Sequence, residues 1–268
     1  MIDTIITVAI SLIQWLFRQI SIIFNIKTKP LCTNVASFTD RKIHIDTLIQ
    51  EISAGIQIIN IYGKKGVGKT TFLTYFCDFV NSQIPTPHKY FDKAEERQYK
   101  KLTKKYAVVY LPLKDYSTSS ELLSGFGSAI GLKEEKPSVY AIAKHMNIRY
   151  LCRKKILIIF DGIKNRAQSE CVELFIQEQL PLSEKFTYVI GSVEECVFVY
   201  LSNISQTKIE IPLFGEDDIY EYVKKTNNHS LNSQVLSRFL EISQGLPIFV
   251  SILYNKNTND KDNFLLFR

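Results

Sequence analysis

Apolar residues along this chain follow two rhythms. Short unbroken runs rich in Val, Ile, Leu and aromatics occupy 56–62, 106–113, 156–160, 186–190 and 208–211, the pattern of strands buried on both faces. Between these runs apolar positions recur at helical spacing, which predicts helices over 41–53, 69–80, 119–130, 138–152 and 169–179. Strands that alternate with helices predict a parallel sheet covered on both faces. After Phe214 the strand-like runs stop, and 216–225, 231–243 and 246–254 read as a small helical subdomain. The chain shows no internal repeat and no low-complexity tract.

The first 26 residues have a different pattern. Residues 4–26, TIITVAISLIQWLFRQISIIFNI, would form a helix of about 34 Å, long enough for a bilayer core of about 30 Å. Yet Thr4, Thr7, Ser11, Gln14, Arg18, Ser21 and Asn25 recur three and four apart and draw one narrow polar stripe along the rod. A lone lipid-facing helix has no use for such a stripe. Three readings stay open: a membrane anchor whose stripe packs against copies of itself, a helix lying in the membrane interface, and a soluble helix seated in a partner's groove. No positive residue precedes the apolar run and no small-residue cleavage site is evident, which argues against a cleaved signal peptide. Lys27, Lys29, Arg41 and Lys42 follow, so a spanning helix would leave the rest of the chain in the cytoplasm.

At 268 residues, 46% of them apolar and 22% charged, the chain can bury a core and falls outside the disordered class. Cys32, Cys77, Cys152, Cys171 and Cys196 are scattered without a CxxC pair, which suits packing in a reducing compartment and indicates neither a disulfide framework nor a zinc site. His44, His88, His145 and His229 show no ligand spacing. The net charge of +6 draws largely on lysines and arginines in 89–105 and after the first helix. The 89–105 cluster also holds Asp92, Glu95 and Glu96 and lacks a stacking array, so a solvated helix or loop accounts for it better than a nucleic-acid surface.

Between the strand at 56–62 and the helix at 69–80 stands Gly63-Lys64-Lys65-Gly66-Val67-Gly68-Lys69-Thr70, which satisfies GxxxxGK[ST] in the strand–loop–helix context that a phosphate cradle requires. Glycine at Gly63, Gly66 and Gly68 lets backbone N–H groups turn toward a phosphate at a helix N-terminus. Lys69 is expected on the β and γ phosphates and Thr70 on Mg²⁺, with Val67 and Thr71 completing the cradle. Residues 63–71 thus predict a purine nucleoside triphosphate with magnesium. Downstream, Leu157-Ile158-Ile159-Phe160-Asp161-Gly162 is an apolar strand ending in a carboxylate. On a strand lying beside the P-loop strand, Asp161 would hold the metal's water shell and join Lys69 as a catalytic group. Gly162, Ile163, Lys164 and Asn165 supply no base to orient an attacking water, so at most slow hydrolysis is expected.

With these pieces the chain resembles the STAND class of P-loop NTPases, and within it the NB-ARC type, which is related to the NACHT and AAA groups. The likeness runs from about Phe38 to Val250 and rests on order and spacing. Phe38-Thr39-Asp40-Arg41 is similar to the motif before the family's first helix, whose arginine lies near the nucleotide base. Val109-Tyr110-Leu111-Pro112-Leu113 with Tyr116, Leu122 and Leu123 resembles its second strand and the next helix. Tyr188-Val189-Ile190-Gly191-Ser192 corresponds to the strand that usually ends in Thr-Ser-Arg. Ile211-Pro212-Leu213, followed by Glu216, Asp217 and Asp218, resembles the start of its helical subdomain. Gly245-Leu246-Pro247 resembles its nucleotide-capping Gly-Leu-Pro, which adds Pro247 and Arg41 to the candidate binding residues. Val193 stands where the family places a sensor arginine, and Ser192 offers a hydroxyl that can bond a phosphate or cap a turn. Gly162 is closer to the NACHT pattern, yet Lys164 and Asn165 replace its downstream acids. Nothing after Val250 resembles the winged helix or sensor repeats of the family, which points to a truncated or minimal member or to a sensor on a separate protein.

The expected fold is α/β: a P-loop NTPase three-layer αβα sandwich with a five-stranded parallel sheet at 28–213, an apolar N-terminal helix at 1–27 and a helical subdomain at 214–268. The expected function is an ATP/ADP-binding switch that controls self-association as a homo-oligomer, with signalling or defence implied by the resemblance alone. Its expected place is the cytoplasm, tethered to a membrane if 4–26 makes contact with one. Nucleic acid is not an expected partner. A P-loop ATPase motor or loader acting on nucleic acid, and a scaffold that binds nucleotide without hydrolysing it, are the rival readings.

Overall fold

The computed structural model describes residues 41–81, 93–151, 155–178, 186–196, 198, 200–227 and 233–259. The apolar segment 4–26 and Phe38-Thr39-Asp40 lie outside them, as do Cys32, Cys152, His88 and His229. Among the described residues no helix is long and apolar enough to cross a membrane.

The described elements are α1 (Lys42–Ala54), β1 (Ile58–Tyr62), α2 (Lys69–Val80), α3 (Lys93–Lys105), β2 (Tyr106–Pro112), α4 (Ser119–Ala129), α5 (Val139–Leu151), β3 (Lys155–Ile163), α6 (Arg166–Glu178), β4 (Phe186–Ser192), β5 (Gln206–Glu210), α7 (Glu216–Asn227), α8 (Ser233–Ser243) and α9 (Pro247–Asn259). Five parallel strands form one sheet in the order β2-β3-β4-β1-β5. Contrary to the expectation for a P-loop protein, the strand carrying Asp161 does not lie directly beside the P-loop strand: β4 stands between them. Both β3 and β4 are apolar on both faces, so neither carries a local mark of its place in the order.

Alternate residues of each strand feed two cores. Ile59, Ile61, Val108, Leu157, Ile159 and Val189 face α1, α2 and α3. Ile58, Val109, Leu111, Ile158, Phe160 and Ile190 face α4, α5 and α6. The two layers make a three-layer αβα sandwich, and a third, smaller core of Phe214, Ile219, Val223, Phe239 and Val250 unites α7, α8 and α9. The basic run after residue 92 is a solvated helix, with Lys100, Lys101, Lys104 and Lys105 exposed while Tyr99 and Leu102 enter the core.

Differences in element ends have local causes. α6 begins at Arg166 because Asn165 accepts a hydrogen bond from Gln168 N at 3.0 Å, capping the first turn ahead of the apolar positions. β5 begins at Gln206, two residues before its apolar run, because this edge strand buries only Ile209 and has little apolar signal. β4 continues through Gly191 and Ser192 because a central strand is buried to its end.

Candidate nucleotide site

The carboxyl ends of β1, β3 and β4 meet the first turn of α2 around a cavity of about 630 Å³. Lys65 to Thr71 and Asp161 line one side; Phe214, Tyr222, Pro247, Ile248 and Ser251 line the other. Of the residues expected in the site, Arg41, Gly66, Val67, Gly68, Lys69, Thr70, Thr71, Asp161 and Pro247 all reach this cavity. Gly63 lies just behind it, where a Cβ would come within 2.5 Å of Ile211 O.

The loop has the form that a phosphate needs. Gly66 and Gly68 both have φ of 91°, a left-handed backbone open to glycine but costly for other residues. Gly68 is the N-cap of α2, contributes no side-chain cap, and has nothing within 4 Å of where a Cβ would stand. The first N–H groups of α2 thus receive no side-chain cap from Gly68, and the turn that carries them lines the cavity, which fits an anion. Lys69 Nζ donates to Gly63 O at 2.5 Å and Lys64 O at 2.9 Å, so its ammonium rests on its own loop. Burial lowers the Lys69 pKa, and the charge of Asp161 works against that shift.

Asp161 is 7% exposed and accepts a hydrogen bond from Tyr110 Oη at 2.6 Å. Burial, with the Asp161 charge and this bond behind it, pushes the Tyr110 phenol well above its ordinary range, so the tyrosine is a proton donor at every working pH. Asp161 pairs with Gly191 and Ile163 with Ser192, which leaves Gly162 as the extra residue of a bulge that ends the regular pairing. Asp161 is the one carboxylate among the described residues lining the cavity. Lys164 also lines it, while Asn165 is committed to capping α6.

Arg41 and Ser192 have partners that the sequence did not disclose. Arg41 is 6% exposed and donates to Pro212 O at 2.9 Å and Val67 O at 3.2 Å, with its guanidinium 4.9 Å from the centre of the Phe214 ring. It joins the P-loop to the segment that leads from β5 into the helical subdomain. Burial lowers its pKa and Asp218 opposes the shift. Ser192, a candidate phosphate donor, instead gives its hydroxyl proton to Glu194 O at 2.5 Å and accepts from Asn60 Nδ2 at 2.9 Å. Its position at the end of a fully buried strand favours the capping role.

Tyr110, Phe214, Tyr222, Ile248 and Ser251 escaped selection as site residues. For Tyr110 the available signal is a hydroxyl near the end of a strand on the face shared with Ile159; for the others it is only their proximity in sequence to Gly245-Leu246-Pro247 or Ile211-Pro212-Leu213. A larger groove of about 840 Å³ runs beside the cavity along α6 and shares Ile163, Lys164 and Ser192 with it. It contains no glycine-rich loop, whereas the smaller cavity holds Gly66 and Gly68.

The architecture has solved counterparts. The ORC1 protein of Aeropyrum pernix in complex with DNA overlays with a TM-score of 0.53 at 10% identity, over 89% of this chain and 64% of that one. Drosophila ORC bound to DNA overlays with a TM-score of 0.53 at 10% identity, over 84% of this chain and 57% of that one. The fold is that of a P-loop NTPase. This chain spans less than two thirds of the length of either counterpart. A looser overlay, with a TM-score of 0.46 at 16% identity over 81% of this chain and 30% of the other, is with a STAND protein of Pyrococcus horikoshii that has a tetratricopeptide repeat sensor; at that level it bears no argument. Neither a protein-family model nor a curated protein matches the chain.

Proposed function

We propose that this P-loop NTPase domain binds ATP and ADP with Mg²⁺ between its sheet and its α7–α9 helices, and that exchange of the two switches self-association. The observation that carries this reading is the two-sided cavity: the P-loop and Asp161 form one wall, Tyr222, Pro247 and Ile248 the other. A nucleotide in such a place touches both parts, so loss of the γ-phosphate alters how they pack. Lys69 would leave Gly63 O and Lys64 O for the β and γ phosphates, the N–H groups of α2 would hold the β-phosphate, and Thr70 and Asp161 would hold the metal and its water. Magnesium held there would supply charge neutralisation. With Asp161 as the one described carboxylate at the cavity, no second acid is placed to orient water, and turnover is slow. The STAND resemblance extends this to a signalling or defence role, with a separate sensor protein and a membrane tether through 4–26 as further parts of the hypothesis.

The test is nucleotide binding, hydrolysis and particle size on the full chain, in ADP and in a slowly hydrolysed ATP analogue. Binding lost in Lys69→Ala, slow turnover and larger particles only with the analogue are the expected results. The same assembly state in both nucleotides would refute the switch and leave a scaffold. The two ORC structures are complexes with DNA; fast hydrolysis stimulated by DNA, with binding that falls steeply with salt, would replace the switch by a motor.

A further inference from the structure

We propose that Tyr110 is a positioning residue for Asp161, and that Gly191 is the window through which this carboxylate reaches the P-loop across the intervening strand. The inference rests on the nucleotide reading above. Because β4 separates β3 from β1, Asp161 has to act over the end of another strand. Register puts Pro112, Asp161, Gly191 and Ile61 in one row across β2, β3, β4 and β1. Tyr110 lies two residues before Pro112 and packs on the core beneath α2, with Ile159 and Ile61.

The two carboxylate oxygens of Asp161 have different surroundings. Oδ2 accepts from Tyr110 Oη at 2.6 Å, on the β2 side. Oδ1 lies against Gly191, where an added Cβ would stand 2.9 Å from it and 2.6 Å from Leu73 Cδ1 of α2. A side chain at 191 would press on the Asp161 carboxylate and on the tip of Leu73. One oxygen is thus clamped from behind while the other lies over a gap toward β1. A carboxylate held in this way is already oriented for a metal's water shell, whereas an unclamped one rotates and loses that orientation. The phenol suits the task because its hydroxyl reaches Oδ2 and its ring packs on the core beneath α2. Tyr110 touches neither nucleotide nor metal in this scheme; it acts through Asp161.

The test titrates Mg²⁺ against binding of a fluorescent ATP analogue to the full chain, with a parallel measurement in EDTA. Tyr110→Phe should leave affinity in EDTA within about twofold of wild type and raise the Mg²⁺ midpoint about tenfold or more, the usual effect of removing an outer partner of a metal-holding group. A merely structural role would weaken both measurements alike. Adding Tyr110→Phe to Asp161→Ala should shift the midpoint no further than Asp161→Ala alone. Gly191→Ala should raise the midpoint with Tyr110 intact, and it decides the matter if Tyr110→Phe does not fold. A wild type that responds to Mg²⁺ beside variants with the wild-type midpoint would overturn the inference, as would an additive double variant. A wild type that binds no nucleotide, or binds it without regard to Mg²⁺, would instead overturn the nucleotide reading and this inference with it.

Discussion

Replacing Arg41 with alanine should lower the melting temperature of the nucleotide-free protein by about 6–12 °C. The guanidinium makes two hydrogen bonds, to Pro212 O at 2.9 Å and Val67 O at 3.2 Å, and lies 4.9 Å from the Phe214 ring centre. A hydrogen bond involving a charged group contributes about 1.5–3 kcal/mol, and the longer of the two belongs at the low end. The ring contact contributes about 0.5–2 kcal/mol. Against them stands the burial that lowers the Arg41 pKa, a cost that alanine removes. The balance is a loss of about 3 kcal/mol, and each kcal/mol moves the midpoint of a domain of this size by about 2–4 °C. Arg41→Lys keeps the charge but not the forked geometry, so it should fall between alanine and wild type. Thermal melts followed by far-UV circular dichroism read the effect. A melting temperature within about 2 °C of wild type in Arg41→Ala would refute the reckoning. The same variant separates a joint from a base contact: a joint arginine weakens ADP and GDP by the same factor, whereas an arginine against the base changes their ratio.

Two further outcomes follow from the same corner of the molecule. Gly245 has φ of 71° and a Cβ there would stand 2.5 Å from Phe214 O, so Gly245→Ala should cost at least about 1–2 kcal/mol and lower the melting temperature by several degrees; an unchanged melt would contradict the close approach of these segments. His44 is held below its ordinary pKa of 6.5 by burial and then by Arg41, with Asp218 opposing, and its Nδ1 is buried without a hydrogen-bond partner among the described residues. The unfolded chain therefore takes up this proton first as the pH falls, so the stability linked to His44 is intact above about pH 6.5 and is lost below it, toward the lowered folded value. Melting temperatures of His44→Leu should fall less steeply than those of wild type from pH 7 to 5, and parallel curves would show that His44 plays no part.

The elements were legible because their signals are local. Residues 69–80 read as a helix from spacing alone, and α2 occupies Lys69–Val80. The P-loop was legible for the same reason, since its glycines, Lys69 and Thr70 stand within eight consecutive residues. Asp161 was legible as a strand-ending carboxylate, but its neighbours were not. Arg41 was picked out by resemblance as a residue near the base; its bonds to two backbone carbonyls were not legible, because both acceptors are distant in sequence.

By itself the sequence determined the alternation of strands and helices, the P-loop motif at 63–71 and the lack of an acid among Gly162, Ile163, Lys164 and Asn165. Those properties depend on residue type and short-range period, which the chain carries whether or not it is folded. Only the tertiary structure decided that β4 enters between β1 and β3, that Tyr110 holds Asp161 from 51 residues away and that Arg41 reaches a carbonyl 171 residues away. Strand order is set by which apolar faces pack together over the whole sheet, and two strands buried on both faces look alike until they are packed. The second wall of the cavity belongs to the same class of fact, because Tyr222 and Ile248 line it with the P-loop through the packing of the third core around Phe214.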